Sequence, residues 1–136
     1  MSSVSATKKV MLVTGANTGL GFQASLTLAK MDNIHVFVTG RNADRVHTAV
    51  DKIKAEASAS SVVEAGVLDL GNLKAIQEFA MQLKARGLVI DAILCNGGLT
   101  LKEKAFTTDG YESIFGVNHL GHSTWSRCCV KSHDAL

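Results

Sequence analysis

Four short runs, Lys9–Thr14 (KVMLVT), Ile34–Thr39 (IHVFVT), Val62–Leu68 and Ile90–Cys95 (IDAILC), are apolar at successive positions rather than at alternate ones. Strands buried on both faces have this pattern, as in a parallel sheet covered by helices on each side. Between the runs the period changes to three and four. Leu20, Ala24 and Leu28 lie beside Phe22, Leu26 and Ala29; then come Val46, Val50, Ile53 and Ala57; then Leu73, Ile76, Ala80 and Leu83. Each series makes one apolar stripe on a helix. Asn42 or Asp44 can accept from the free N–H groups that open the second helix, Asn72 serves the third, and Gly87 stands where the third should stop. The pattern therefore predicts β-α-β-α-β-α-β with a last helix from about Thr108. No repeat or linker interrupts it, and the stretch AEASASS at 55–61 reads as a helix end and a loop.

At 136 residues the chain has room for one domain with a core. With 46% hydrophobic residues, 19% charged residues and a formal net charge of +2, nothing in it suggests disorder or a polyanionic partner. No basic stripe interleaved with aromatics supports nucleic-acid binding. MSSVSATKK lacks the apolar segment of a secretion signal, and no run approaches the roughly 20 apolar residues of a transmembrane helix. The expectation is a soluble intracellular protein, cytoplasmic by default, with an organelle left open. Cys95, Cys128 and Cys129 do not form a disulfide framework. Cys95 closes an apolar run and reads as a small buried hydrophobe, whereas Cys128 and Cys129 read as exposed thiols. His119 and His122, with Cys128, Cys129 and His133 beyond, fit no standard zinc spacing, so no metal is expected.

The chemistry is concentrated in MLVTGANTGLG at 11–21, where the first strand runs into three glycines and then a helix. The first N–H groups of a helix are unpaired and its dipole favours negative charge there, so such a turn suits an anion. Gly15 lets the chain leave the strand sharply, Gly19 leaves space for a pyrophosphate, and Gly21 lets the helix pack close to the sheet. Asn17 and Thr18 add side-chain donors.

TGANTGLG, from Thr14 to Gly21, resembles the T-G-x-x-x-G-x-G coenzyme motif of the short-chain dehydrogenase/reductase family. VLDL at 67–70, CNGG at 95–98 and VNHLGH at 117–122 follow in that family's order. The resemblance spans Lys8 to His122 and looks most like the branch containing retinol dehydrogenases and protochlorophyllide reductases. It implies an α/β, Rossmann-like doubly wound parallel sheet, here ending after the fourth strand and the following helix. Residues 1–136 would then be a single NAD(P)-binding domain, incomplete at its C-terminal end, with a flexible N-terminus at 1–8 and a divergent tail at 123–136.

The resemblance implies a dinucleotide held by Gly15, Asn17, Thr18, Gly19, Leu20, Gly21, Arg41, Asp69, Leu70, Asn96, Gly97 and Gly98. Where an acidic residue would accept from the free 2′-hydroxyl of NAD, this chain has Gly40, Arg41 and Asn42. A guanidinium without a carboxylate suits the 2′-phosphate of NADP. Asp69 resembles the residue that binds the adenine, and could also cap the following helix. Gly97 replaces the usual alanine of N-A-G and is expected to loosen that loop.

For catalysis the resemblance implies a tyrosine, a lysine four residues later, a serine and an asparagine. Asn118 matches the asparagine, which in the family helps hold a water of the proton relay. Tyr111 is the only tyrosine and Phe115 stands four residues on, so the sequence has no Y-x-x-x-K. Tyr111 is expected to pack with Phe115. A small-molecule carbonyl or lipid-like substrate is implied, with retinoid, steroid and tetrapyrrole classes all open; self-association into a homo-oligomer is open too. The fourth strand should form a sheet edge.

Overall fold

The computed structural model describes residues 7–129. Four strands, β1 (Lys9–Val13), β2 (Ile34–Gly40), β3 (Val62–Val67) and β4 (Ala92–Leu94), alternate with α1 (Gly19–Lys30), α2 (Ala43–Lys54) and α3 (Leu73–Ala85). They form one parallel sheet in the order β3-β2-β1-β4. The chain thus starts in the middle, moves outward through β2 and β3, and returns to the far side of β1. Where strand order reverses, the loops leaving β1 and β4 diverge and a crevice opens at their carboxyl ends.

β2 shows why the apolar runs are continuous. Val36 and Val38 join one cluster with Val13, Ala29, Val46, Val50 and Ile53, under α1 and α2. Phe37, between them, joins the other cluster with Leu12, Ile76, Leu83 and Trp125, under α3 and the last helix. Every residue of β2 is buried. Along α1 the buried line is Gly21, Ser25 and Ala29, with the larger apolar residues flanking it, so small side chains bring this helix close to the sheet.

Local punctuation matches the sequence signals. The Asn42 side chain, rather than Asp44, caps α2 by accepting from Arg45 N at 3.0 Å, and Asn72 caps α3 by accepting from Ala75 N at 3.0 Å. Gly87, with φ +71°, donates to Lys84 O while Leu88 donates to Leu83 O, which is the paired bonding of a Schellman stop.

The last helix departs from expectation. Thr107–Gly110 is a turn in which Gly110, with φ +82°, donates to Thr107 O, and Phe106 bridges Glu112. The helix starts only at Ser113, where the Glu112 carboxylate accepts from Ile114 and Phe115 and is held below the usual range by those backbone N–H groups. α4 (Ser113–Phe115) then passes through a π-helical turn (Gly116–Gly121) into α5 (His122–Cys129). Tyr111 lies exposed in the preceding turn and does not pair with Phe115, whose ring stacks on His119 at 5.2 Å. Cys128 and Cys129 are half-buried against the second cluster rather than exposed. Burial, together with Cys128, pushes the Cys129 thiol up to about 11.

β4 is an edge strand of only three residues, and its outer side is covered by no other described strand. Cys95, expected to be buried, is exposed because it lies past the last paired residue, Leu94, on a strand held from one side. Beside this edge Met11, Val13, Ala24, Leu28 and Ile93 line an open apolar groove. In amide hydrogen exchange Ile93 is expected to show far less protection than Val36 and Val38 of β2, because edge pairing opens locally while β2 opens only with the fold. Equal protection would mean that β4 is covered in solution.

Candidate functional site

The loops at the carboxyl ends of all four strands meet in one cleft of about 170 Å³. Gly15 and Asn17 reach it from the β1 turn, Gly40 and Arg41 from β2, Asp69 and Leu70 from β3, and Gly97 and Gly98 from β4. The volume is below the 300–1,000 Å³ of common ligand pockets, so only part of a ligand would be enclosed here. An adjoining shallow cleft runs past Asn17, Thr18 and Gly19 toward Arg45 and Lys52.

Each glycine of the β1 turn is required for a different reason. Gly15 has φ +60°, and a Cβ on it would stand 2.7 Å from Gly97 Cα. Gly19 has φ +58° with open space where a Cβ would point, which leaves its backbone accessible. Gly21 sits on α1, where a Cβ would fall on Gly15 O. Thr18, at the N-cap of α1, makes no side-chain cap hydrogen bond, unlike Asn42 and Asn72 on the next two helices. The first N–H groups of α1 therefore keep their capacity for an outside acceptor.

The β4 turn is tied to this one. Asn96 Nδ2 donates to Thr14 O at 3.1 Å and to Gly15 O at 3.2 Å. Gly97 is not loosened, as the sequence suggested. Its N–H donates to Thr14 Oγ1 at 2.9 Å, and a Cβ on it would stand 2.9 Å from Leu70 Cδ1 and 3.1 Å from Gly15 N. Gly98 faces Asn118, whose amide clamps the loop by accepting from Leu99 N at 2.8 Å and donating to Leu99 O at 2.9 Å.

Asp69 does not cap α3, since Asn72 does; its Oδ1 accepts from Gly71 N at 2.8 Å and shapes the corner after β3. Arg41 is exposed at the cleft, and among the described residues it makes no ion pair. Leu20 is 82% exposed and lines neither cleft. Gly21 and Asn96 act from behind, holding the loops rather than facing the opening. Among the described residues no group of three or more His, Cys, Asp or Glu is arranged for a metal; His133 lies outside them. No described helix is long and apolar enough to cross a membrane.

Sequence reasoning gave no role to His122 beyond a zinc test, and none to the hydroxyl of Thr14. These two meet at 2.8 Å, 108 residues apart in the chain. Trp125, from the stretch read as divergent, is also completely buried.

A family model described as short chain dehydrogenase matches residues 9–134, past His122 where the motif resemblance ended. The chain is 36% identical to protochlorophyllide reductase of Chlamydomonas reinhardtii over 85% of its length, covering 29% of that protein. It is 40% identical to the WW domain-containing oxidoreductase of Homo sapiens over 85% of its length, covering 28% of that protein. With human retinol dehydrogenase 13 the identity is 38% over 84% of this chain and 34% of the relative. The chain thus spans about a third, or less, of these relatives' lengths. Among solved structures, an uncharacterised protein from Mycobacterium Paratuberculosis superposes with a TM-score of 0.76 at 29% identity, over 90% of this chain and 42% of that one. A metagenomic short-chain oxidoreductase in complex with NADP gives 0.75 over 92% of this chain and 56% of that one; at 24% identity this likeness speaks for the fold alone.

Proposed function

We propose that this chain, which belongs to the short-chain dehydrogenase family, is the coenzyme-binding part of an NADP(H)-dependent oxidoreductase acting on a small carbonyl or alkene substrate of lipid-like kind. The observation that carries the coenzyme choice is Arg41, unpaired among the described residues, at the lip of the cleft that holds Gly15 and Asp69. Asp69, the one acidic residue among those that line this cleft, has its Oδ1 bonded to Gly71 N, and Asp44 lines the adjoining cleft instead. The glycine turn fits the pyrophosphate, because Gly19 leaves its backbone open and Thr18 leaves the first N–H groups of α1 uncapped.

When bound, the dinucleotide would supply a hydride to the substrate. The chain's own residues bind and orient it: Gly15, Asn17, Thr18 and Gly19 around the pyrophosphate, Arg41 on the 2′-phosphate, Asp69 and Leu70 beside the adenine, and Gly97 and Gly98 on the far side of the turn. Asn96, Gly21 and Asn118 hold these loops in place. Tyr111 is not placed to give a proton to the substrate oxygen: it lies exposed in a turn, lines neither cleft, and is followed four residues on by Phe115. That feature favours a second reading, a nucleotide-binding protein that does no chemistry of its own.

A fluorescence titration with NADPH and NADH tests the first reading. Tighter binding of NADPH is expected, and Arg41→Ala should weaken NADPH about tenfold while leaving NADH nearly unchanged, as expected for losing one charge-assisted contact. Equal effects on both nucleotides would remove Arg41 from the 2′-phosphate. Turnover of any carbonyl with NADPH would exclude the second reading, and binding without turnover would support it.

A further inference from the structure

We infer that His122 is a positioning residue that sets the two coenzyme-side turns through the hydroxyl of Thr14; the inference rests on the coenzyme reading above. His122 is buried, and both of its ring nitrogens have partners. Nδ1 lies 3.1 Å from Asn118 O, a carbonyl that can only accept, so Nδ1 carries the proton. In the neutral ring Nε2 is then an acceptor, and it lies 2.8 Å from Thr14 Oγ1.

The hydroxyl is used to capacity. Oγ1 accepts from Gly97 N at 2.9 Å and from Asn96 N at 3.0 Å, an N–H that Asn96 shares with Leu94 O at 3.0 Å, and the two bonds occupy both lone pairs. Its single proton points to Nε2 at 2.8 Å in preference to Leu94 O at 3.4 Å. With His122 as acceptor, the lone pairs of Thr14 are aimed at the β4 turn; without it, the proton turns to Leu94 O and the lone pairs rotate away from Asn96 and Gly97. Thr14 directly precedes Gly15, so the same hydroxyl links the β1 turn to the β4 turn across the cleft.

The helix that carries His122 is itself fixed against the other loops. Its π-helical turn presents Asn118 to Leu99, and Gly121 lies so close to the corner after β3 that a Cβ would fall on Leu70 O. A π turn widens the helix locally and re-aims side chains, a device found at functional sites. Here it lets Asn118 and His122, four residues apart, hold two different loops. His122 lines neither cleft, so its action passes through Thr14.

The test has one arm that needs no coenzyme and one that does. In long-range proton–nitrogen NMR spectra of the full chain, His122 should be the Nδ1–H tautomer; an Nε2–H tautomer overturns the inference. The Asn96 and Gly97 amide signals should shift in His122→Phe, which fills the space without an acceptor, and stay near their original positions in His122→Gln, which restores an oxygen near Nε2. Shifts of equal size in both variants would also overturn it. In an NADPH titration His122→Phe should weaken binding about tenfold when Thr14 is present and hardly at all in a Thr14→Val background, as for two groups acting as one unit. Additive losses would mean a merely structural role. If the unsubstituted chain binds no NADPH, the coenzyme reading fails, and the tautomer and amide shifts still decide the linkage between His122 and Thr14.

Discussion

Trp125→Ala is expected to lower the unfolding free energy by about 4 kcal/mol, the usual cost of emptying a large aromatic site in a core. The indole is fully buried and is the largest side chain so placed. It meets the Phe79 ring edge-on at 5.4 Å, and Phe79 in turn meets Phe37 at 6.3 Å and 86°, so one column of aromatics joins α5, α3 and the centre of the sheet. Such pairs add to burial because ring edges and faces carry opposite partial charge. A domain of this size has roughly 5–15 kcal/mol in total, so the variant should be partly unfolded at moderate temperature. Trp125→Phe should cost much less, because it keeps most of the ring area and removes a buried Nε1–H that has no hydrogen-bond partner among the described residues. Urea unfolding followed by circular dichroism compares the two. A loss below about 1 kcal/mol for the alanine variant would show that α5 is not packed as described.

That indole also marks where the sequence stopped being readable. Burial on both faces of β2 was legible in IHVFVT because neighbouring residues report it directly, and Asn42, Asn72 and Gly87 were legible because a cap acts within a few positions of itself. The cleft was legible through ordered motifs, three of which, TGANTGLG, VLDL and CNGG, lie at the carboxyl end of a strand. What escaped depends on contacts remote in sequence. The start of the last helix is set by Phe106 pairing with Glu112 and by the turn at Thr107–Gly110, neither of which has a helical period to announce it. Cys95 looked buried because it ends an apolar run, yet its exposure follows from the position of β4 in the sheet order. Cys128 and Cys129 looked like an exposed tail, but Trp125 anchors their helix and brings them against the second cluster. Thr14 and His122 each belonged to a quoted motif, and only the fold could show that the two motifs meet.

Gly21→Ala is expected to cost 2–3 kcal/mol of stability and most of the nucleotide affinity, although alanine is the better helix former by about 1 kcal/mol. The sign is decided by what the new methyl meets. It would fall on Gly15 O, stand 2.6 Å from Asn96 Nδ2 and 3.0 Å from Ala16 Cα, and two of these three are backbone atoms that cannot swing aside. Relief requires α1 to move away from the β1 turn, which breaks the Asn96 bonds to Thr14 O and Gly15 O and displaces the uncapped N–H groups of α1 from the cleft. Gly19→Ala is the matching control, because its methyl meets nothing and the loss is confined to the positive φ, about 1 kcal/mol. Its methyl would nevertheless occupy the open approach to the backbone, so Gly19→Ala should retain most of the urea midpoint while losing NADPH affinity. Gly21→Ala should lose both. If Gly21→Ala instead unfolds at the same urea concentration as the unsubstituted chain, α1 stands farther from the sheet than this geometry requires, and the proposed pyrophosphate site cannot be built on their close approach.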